Sequence, residues 1–123
     1  MPAPYPPEVL AALGRQWVEA WNTRDVERVL ALYAEDVEMT SAYIPSLGFA
    51  ASGTVQGKDS LRAYWGKALA LFPELHFTLI DTYVNPDSVV VLYENERGSR
   101  ICEYLRLDDA GNIRQGSANH LAD

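Results

Sequence analysis

An α+β fold, helices first and an antiparallel sheet after them, is predicted by three features of the chain. Apolar residues recur every three to four positions in the stretches before Pro73, and beyond it the period becomes extended. The extended runs are separated by Asn85-Pro86-Asp87, Gly98-Ser99 and Asp108-Asp109-Ala110-Gly111, each short enough for a hairpin, so a meander is expected rather than crossover units. A chain of 123 residues, 48% hydrophobic and 22% charged, suits one domain spanning 1–123.

After a proline-rich lead, Val9, Leu10, Leu13, Trp17, Ala20 and Trp21 lie at helical spacing and predict a first helix over 8–22. Asn22-Thr23-Arg24-Asp25 breaks it, and Asp25 is placed to cap a shorter helix carrying Val26, Val29, Leu30, Leu32 and Tyr33. A short strand is expected over 36–42. Residues 43–57 hold Pro45, Gly48, Gly53 and Gly57 among isolated apolar residues and read as the rim loop of a pocket. Leu61, Tyr64, Trp65, Ala68, Leu69 and Phe72 predict a third helix over 58–72, ended by Pro73. Four strands follow over 75–84, 88–96, 100–107 and 113–121.

Composition excludes several classes of function. A formal charge of -7 opposes nucleic acid and anionic membrane surfaces, which call for a basic footprint. The N-terminal MPAPYPPE lacks the basic and apolar regions of a signal peptide, and no apolar run reaches the roughly 18 residues of a spanning helix. The single cysteine, Cys102, has no partner for an internal disulfide, and a cytoplasmic location is expected. Neither a glycine-rich phosphate loop nor a nucleophile elbow is present, and no cofactor is expected.

The chemistry-bearing residues converge on the second hairpin. If Gly98-Ser99 is a two-residue turn, Arg97 pairs with Arg100, Glu94 faces Glu103, Leu92 faces Leu105 and Val90 faces Leu107. That face is apolar and covers the helices, so Glu94 and Glu103 become opposed carboxylates on the inner surface. Two such groups about 5 Å apart do not both ionise cheaply, which raises one pKa and suits general acid/base work. The alternative is a solvated pair at the sheet end, balanced by Arg97 or Arg100. A metal would need Glu94, Glu103 and His120 to converge, a spacing that matches no ligand motif, and none is expected.

AWNTRD closing the first helix, LYAEDVEM entering a strand, TVQGKDSLRAYW opening the third helix and EYLRLDDAGNI joining the last strands together resemble the SnoaL-like and ketosteroid-isomerase-like branch of the nuclear transport factor 2-like superfamily. The resemblance covers nearly the whole chain. It implies a cone-shaped α+β barrel of the cystatin-like kind, with three N-terminal helices on a curved, mostly antiparallel sheet, a deep apolar pocket, and a homodimer formed through the outer sheet face. The isomerase's catalytic tyrosine would fall at Trp17 and its aspartate base at Ser41, so both groups are replaced; its protonated acid would fall at Glu103. The resemblance also turns Gly116, Ala118 and His120 inward on the last strand, with Ser117 and Asn119 outward.

Two functional readings follow. One is an acid/base enzyme, an isomerase, cyclase or hydrolase, acting on a small hydrophobic or amphipathic molecule, with Glu103 as acid, Glu94 or His120 as base, and Trp17, Tyr43, Leu92, Leu105 and Ala118 lining the pocket. The other is a pocket that binds without chemistry, or a dimerisation module whose outer face carries Cys102, Tyr104, Arg106 and Tyr93. His76, preceding the alternation of Leu75, Phe77 and Leu79, is expected on the outer face.

Overall fold

The computed structural model describes residues 2–122. Its order is α1 (Pro7–Asn22), α2 (Val26–Leu30), β1 (Tyr33–Thr40), α3 (Tyr43–Ser46), β2 (Thr54–Gln56), α4 (Lys58–Leu71), β3 (Thr78–Asn85), β4 (Ser88–Glu94), β5 (Arg100–Leu107) and β6 (Ile113–His120). Six strands form one sheet in the order β2-β1-β6-β5-β4-β3. All neighbours are antiparallel except β1 and β6, which run parallel, so the sheet is mixed. The expected barrel is not closed, because β2 and β3 remain as free edges. Only α1 and α4 are substantial helices; α2 and α3 have 5 and 4 residues.

Local chemistry accounts for these elements. Proline in the first turn suits the start of α1, where the N–H has no helical acceptor. Val9 is the exception on its apolar face, standing 44% exposed. Asp25 caps α2 by accepting the Glu27 amide at 3.0 Å. The strand expected over 36–42 starts earlier, at Tyr33, because α2 closes after little more than a turn. The rim segment 43–57 contains the single turn α3 and the edge strand β2.

α1 packs on β3 and β4, α4 packs on β1 and β2, and α2 touches both long helices. Gly14 permits the first of these contacts: a Cβ there would stand 2.9 Å from Thr82 Cγ2 and 3.3 Å from Val91 Cγ2. The two long helices thus straddle the inner face of the sheet and leave a space between them.

The β4–β5 hairpin departs from the expected register. Its loop has three residues between Asn95 and Ser99: the Asn95 amide donates to the Ser99 carbonyl and the Gly98 amide to the Asn95 carbonyl, while Gly98 takes φ +82°. This is a turn followed by a left-handed residue, as three-residue hairpins commonly use. Asn95 Oδ1 fixes it by accepting the amides of Arg97 and Ser99, each at 3.0 Å. Glu94 consequently pairs with Arg100, Tyr93 with Ile101, Leu92 with Cys102, Val91 with Glu103 and Val89 with Leu105. The pairing is three residues from the expected one, and an odd shift exchanges the faces of β4.

Candidate functional site

A cavity of about 100 Å³ opens between α1, α4 and the inner face of the sheet, lined by aromatic rings with a few polar groups. Trp17, projecting from the middle of α1, is 1% exposed; its ring stacks on Phe77 and tilts against Tyr93. Its indole N–H donates to the Tyr33 hydroxyl at 2.9 Å. Trp21, one turn further along α1, meets Trp65 of α4 edge to face. Trp21 and Trp65 are both buried in the core and both also line the cavity.

The AWNTRD segment positions this wall. Asn22 brackets Phe77, its Nδ2 donating to the Phe77 carbonyl at 2.9 Å and its Oδ1 accepting the Phe77 amide at 2.7 Å. Arg24 Nε donates to the Leu75 carbonyl at 3.0 Å. The end of α1 therefore holds the 75–77 backbone as a partner strand would, and presents Leu75 and Phe77 to the cavity.

Glu103 lies on β5 facing this space and is 2% exposed. Tyr93 donates its hydroxyl to Glu103 Oε1 at 3.2 Å. No ion pair involves Glu103 among the described residues, and burial raises its pKa from the ordinary 4.5 to about 8, against a smaller lowering by the Tyr93 hydrogen bond. The carboxyl is therefore mostly neutral near pH 7. Burial, with the Glu103 carboxyl beside them, holds the Tyr33 and Tyr93 hydroxyls well above their usual range.

Across β5 and β6, Glu103 pairs with Ala118 and Ile101 with His120. Gly116, Ala118 and His120 thus face inward, in the orientation the resemblance implies. Glu103 and His120 are diagonal neighbours on that face, an arrangement that sets Cα atoms about 7–8 Å apart. His120 sits at the mouth, with its ring edge-on to Tyr43 at 5.1 Å. Burial, then the charge of Arg97, lowers its pKa from 6.5, so the imidazole is neutral near pH 7. Arg97 lies over the Phe72 ring at 4.1 Å and pairs with Glu96 at 2.7 Å, forming the opposite lip.

Of the eight residues singled out from sequence, Glu103, His120, Trp17, Tyr43 and Ala118 come together around the cavity. Leu105 points inward but is fully buried in the core beside Gly116. Glu94 and Leu92 are on the outer face, because the three-residue loop shifts their strand; the opposed Glu94–Glu103 pair does not form. For the same reason Tyr93, read as outer, faces inward and becomes the partner of Glu103. Reading Asn95 as the turn residue and Gly98 as its left-handed position would have revealed this. Tyr33 and Tyr64 also escaped sequence reasoning as polar constituents of the site or its surroundings, whereas Ser41, buried at the cavity, lies at the position the resemblance gave it. With Glu94 outside, no three His, Cys, Asp or Glu side chains among the described residues gather as a metal would require. No helix in the described chain is long and apolar enough to cross a membrane.

The SnoaL-like domain family model matches residues 14–114. The chain belongs to the SnoaL-like family. It is similar to a SnoaL-like protein of unknown function from Burkholderia thailandensis, at 30% identity and TM-score 0.90, covering 97% of this chain and 99% of that one. TerC, co-crystallised with polyporic acid, superposes with TM-score 0.74 at 18% identity, covering 94% and 92%. A Methylobium petroleophilum protein of unknown function with a cystatin-like fold gives TM-score 0.73 at 14% identity, covering 94% and 78%. The last two establish likeness of fold alone, and the SnoaL-like chain has that cystatin-like fold as an open sheet. No curated protein matches it.

Proposed function

We propose that this SnoaL-like protein binds a small, largely apolar molecule bearing a carbonyl oxygen and moves a proton on it. The observation that carries the reading is Glu103, a carboxyl buried at the cavity wall without a cation and held neutral near pH 7. A neutral acid in a dry site donates a hydrogen bond to an oxygen on which negative charge develops, where it is most effective. Neutral His120, across the same face, accepts a proton from the carbon beside that carbonyl. As His120 takes the carbon proton, Glu103 gives its own to the oxygen and an enol forms; His120 returning its proton to a different carbon of a conjugated enol, while the O–H proton goes back to Glu103, gives an isomer.

Size narrows the substrate. An apolar cavity of about 150 Å³ accommodates benzene, so a space of about 100 Å³ suits a short chain as it stands, with the Arg97–Phe72 lip yielding to a six-membered ring or anything larger. Pairing of two copies through the outer sheet face, where Tyr83 stands 58% exposed beside Val90 and Tyr104, belongs to the same reading. A dimer in sedimentation velocity at micromolar concentration supports it, and a monomer there removes it.

The test of catalysis is hydrogen–deuterium exchange at the carbon beside the carbonyl of cyclohexanone, followed by NMR in D2O. Exchange above the buffer rate, lowered about 10²-fold or more by Glu103→Gln, supports proton transfer. A second reading, binding without chemistry, is favoured by Ser41, which puts a hydroxyl where the related isomerases carry their base. It gains if cyclohexanone binds and Glu103→Gln leaves exchange at the buffer rate in both proteins.

A further inference from the structure

Trp17 and Trp21 lie one helical turn apart in α1, and both indoles border the cavity. Their N–H groups have different fates. Trp17 Nε1 donates to the Tyr33 hydroxyl at 2.9 Å. Trp21 Nε1 is buried in a side chain only 5% exposed and has no acceptor within hydrogen-bonding distance, the one such buried side-chain nitrogen or oxygen among the described residues.

An orphaned buried donor is costly and rare enough in folded proteins to call for a cause. The surroundings explain why the protein does not supply an acceptor: the ring neighbours of Trp21 are Trp17, Trp65 and Phe77, which offer only π faces. A π face is a much weaker acceptor than an oxygen. Trp21 also lines the cavity, so a molecule bound there is a source of the acceptor that the fold does not supply.

We infer that Trp21 Nε1–H is a ligand-recognition donor, taking an acceptor oxygen of the bound molecule at the α1–α4 side of the cavity. This rests on the proposed role of the cavity as a binding site and adds a specificity rule to it. Ligands with an acceptor oxygen, such as ketones, ethers or quinones, are selected over hydrocarbons of the same shape. The rule concerns binding, so it holds whether or not Glu103 transfers a proton.

Cyclohexanone and methylenecyclohexane form a suitable pair, nearly equal in shape and differing by an oxygen acceptor. Their binding is compared for wild type, for Trp21→Phe, and for a protein carrying 3-benzothienylalanine at position 21. The last preserves the bicyclic shape and lacks only the donor. Indole N–H signals are followed in ¹⁵N-tryptophan-labelled protein. The expected result is that cyclohexanone, and not methylenecyclohexane, moves the Trp21 indole proton downfield. The preference for the ketone should fall about fivefold to tenfold in both variants, the worth of one hydrogen bond. Binding of both compounds with the same preference in all three proteins overturns this inference and leaves the pocket intact. Failure of both compounds to bind wild type overturns the pocket reading together with it.

Discussion

The Tyr93 hydroxyl donates to Glu103 Oε1 from the adjacent strand, one position diagonally across the inner face. The bond favours the ionised carboxylate and works against burial, which favours the neutral acid; burial is the larger influence. Acidity at this site is thus a balance between a depth set by the fold and a donor set by one side chain.

Stability should depend on pH through the same group. The folded-state pKa of about 8 lies above the ordinary 4.5, so between those values the unfolded chain has released a proton that the folded chain retains. Stability contributed by the neutral acid is complete below about 4.5 and is lost as pH rises toward about 8. Glu103→Gln removes this dependence. In guanidinium unfolding at several pH values, the variant should gain on wild type with rising pH, by at most about 1.4 kcal/mol per unit. Parallel curves would show that Glu103 ionises normally.

Proton transfer, if it occurs, should show a bell-shaped pH profile. The acid limb reports His120 and lies below 6.5; the alkaline limb reports Glu103 and lies near 8. Tyr93→Phe removes the donor that favours the carboxylate and should move the alkaline limb upward. Arg97→Ala removes a positive charge beside His120 and should move the acid limb upward. Exchange rates measured across pH 5–10 distinguish the two effects, and limbs that ignore both substitutions would detach these residues from the chemistry.

Asn22→Ala should cost about 1–3 kcal/mol, since it breaks both hydrogen bonds to the Phe77 backbone. Phe77 stacks on Trp17, so the same change should loosen the cavity wall. Urea denaturation gives the first quantity, and increased hydrogen exchange confined to residues 75–79 gives the second. A loss under about 0.5 kcal/mol, the ordinary range for surface changes, would mean that the bracket is dispensable.

Gly14→Ala should destabilise the protein although alanine is the better helix former. The added methyl meets Thr82 Cγ2 at 2.9 Å and Val91 Cγ2 at 3.3 Å, and such overpacking costs about 1–3 kcal/mol against a propensity gain of about 1. Thr82→Ser deletes the nearer methyl and should restore most of the loss. Additive effects of the two substitutions in thermal melts would refute a direct clash.

Much of this architecture is legible in the chain because local chemistry and burial agree there. The spacing of Leu10, Leu13, Trp17 and Trp21 leaves little choice but a helix, Asp25 caps as its position requires, and the inward direction of Glu103 follows from Leu105 and Leu107 on its own strand. The register of β4 was not legible because it depended on a single loop. Gly98-Ser99 satisfies a two-residue turn as well as Asn95 and Gly98 satisfy a three-residue one, and β4 has apolar residues on both faces, with Val89, Val90, Val91 and Leu92 in succession. Hydrophobic pattern therefore could not correct the register, and Glu94 and Tyr93 exchanged sides. The parallel pairing of β1 with β6 was equally hidden, because no local signal links residues some 80 positions apart.

That pairing bears on how the protein comes into being. β6 occupies the middle of the sheet, between β1 and β5, yet it follows every other strand of the sheet in sequence. A nascent polypeptide that has emerged only through Leu107 must wait with two unpaired strand edges, and with the wall that holds Ala118 and His120 still missing. Exposed edges of this kind invite pairing with other chains. Closing so distant a contact is also the slow part of assembly, so the interval between synthesis of β5 and insertion of β6 is when this chain is most in need of a chaperone.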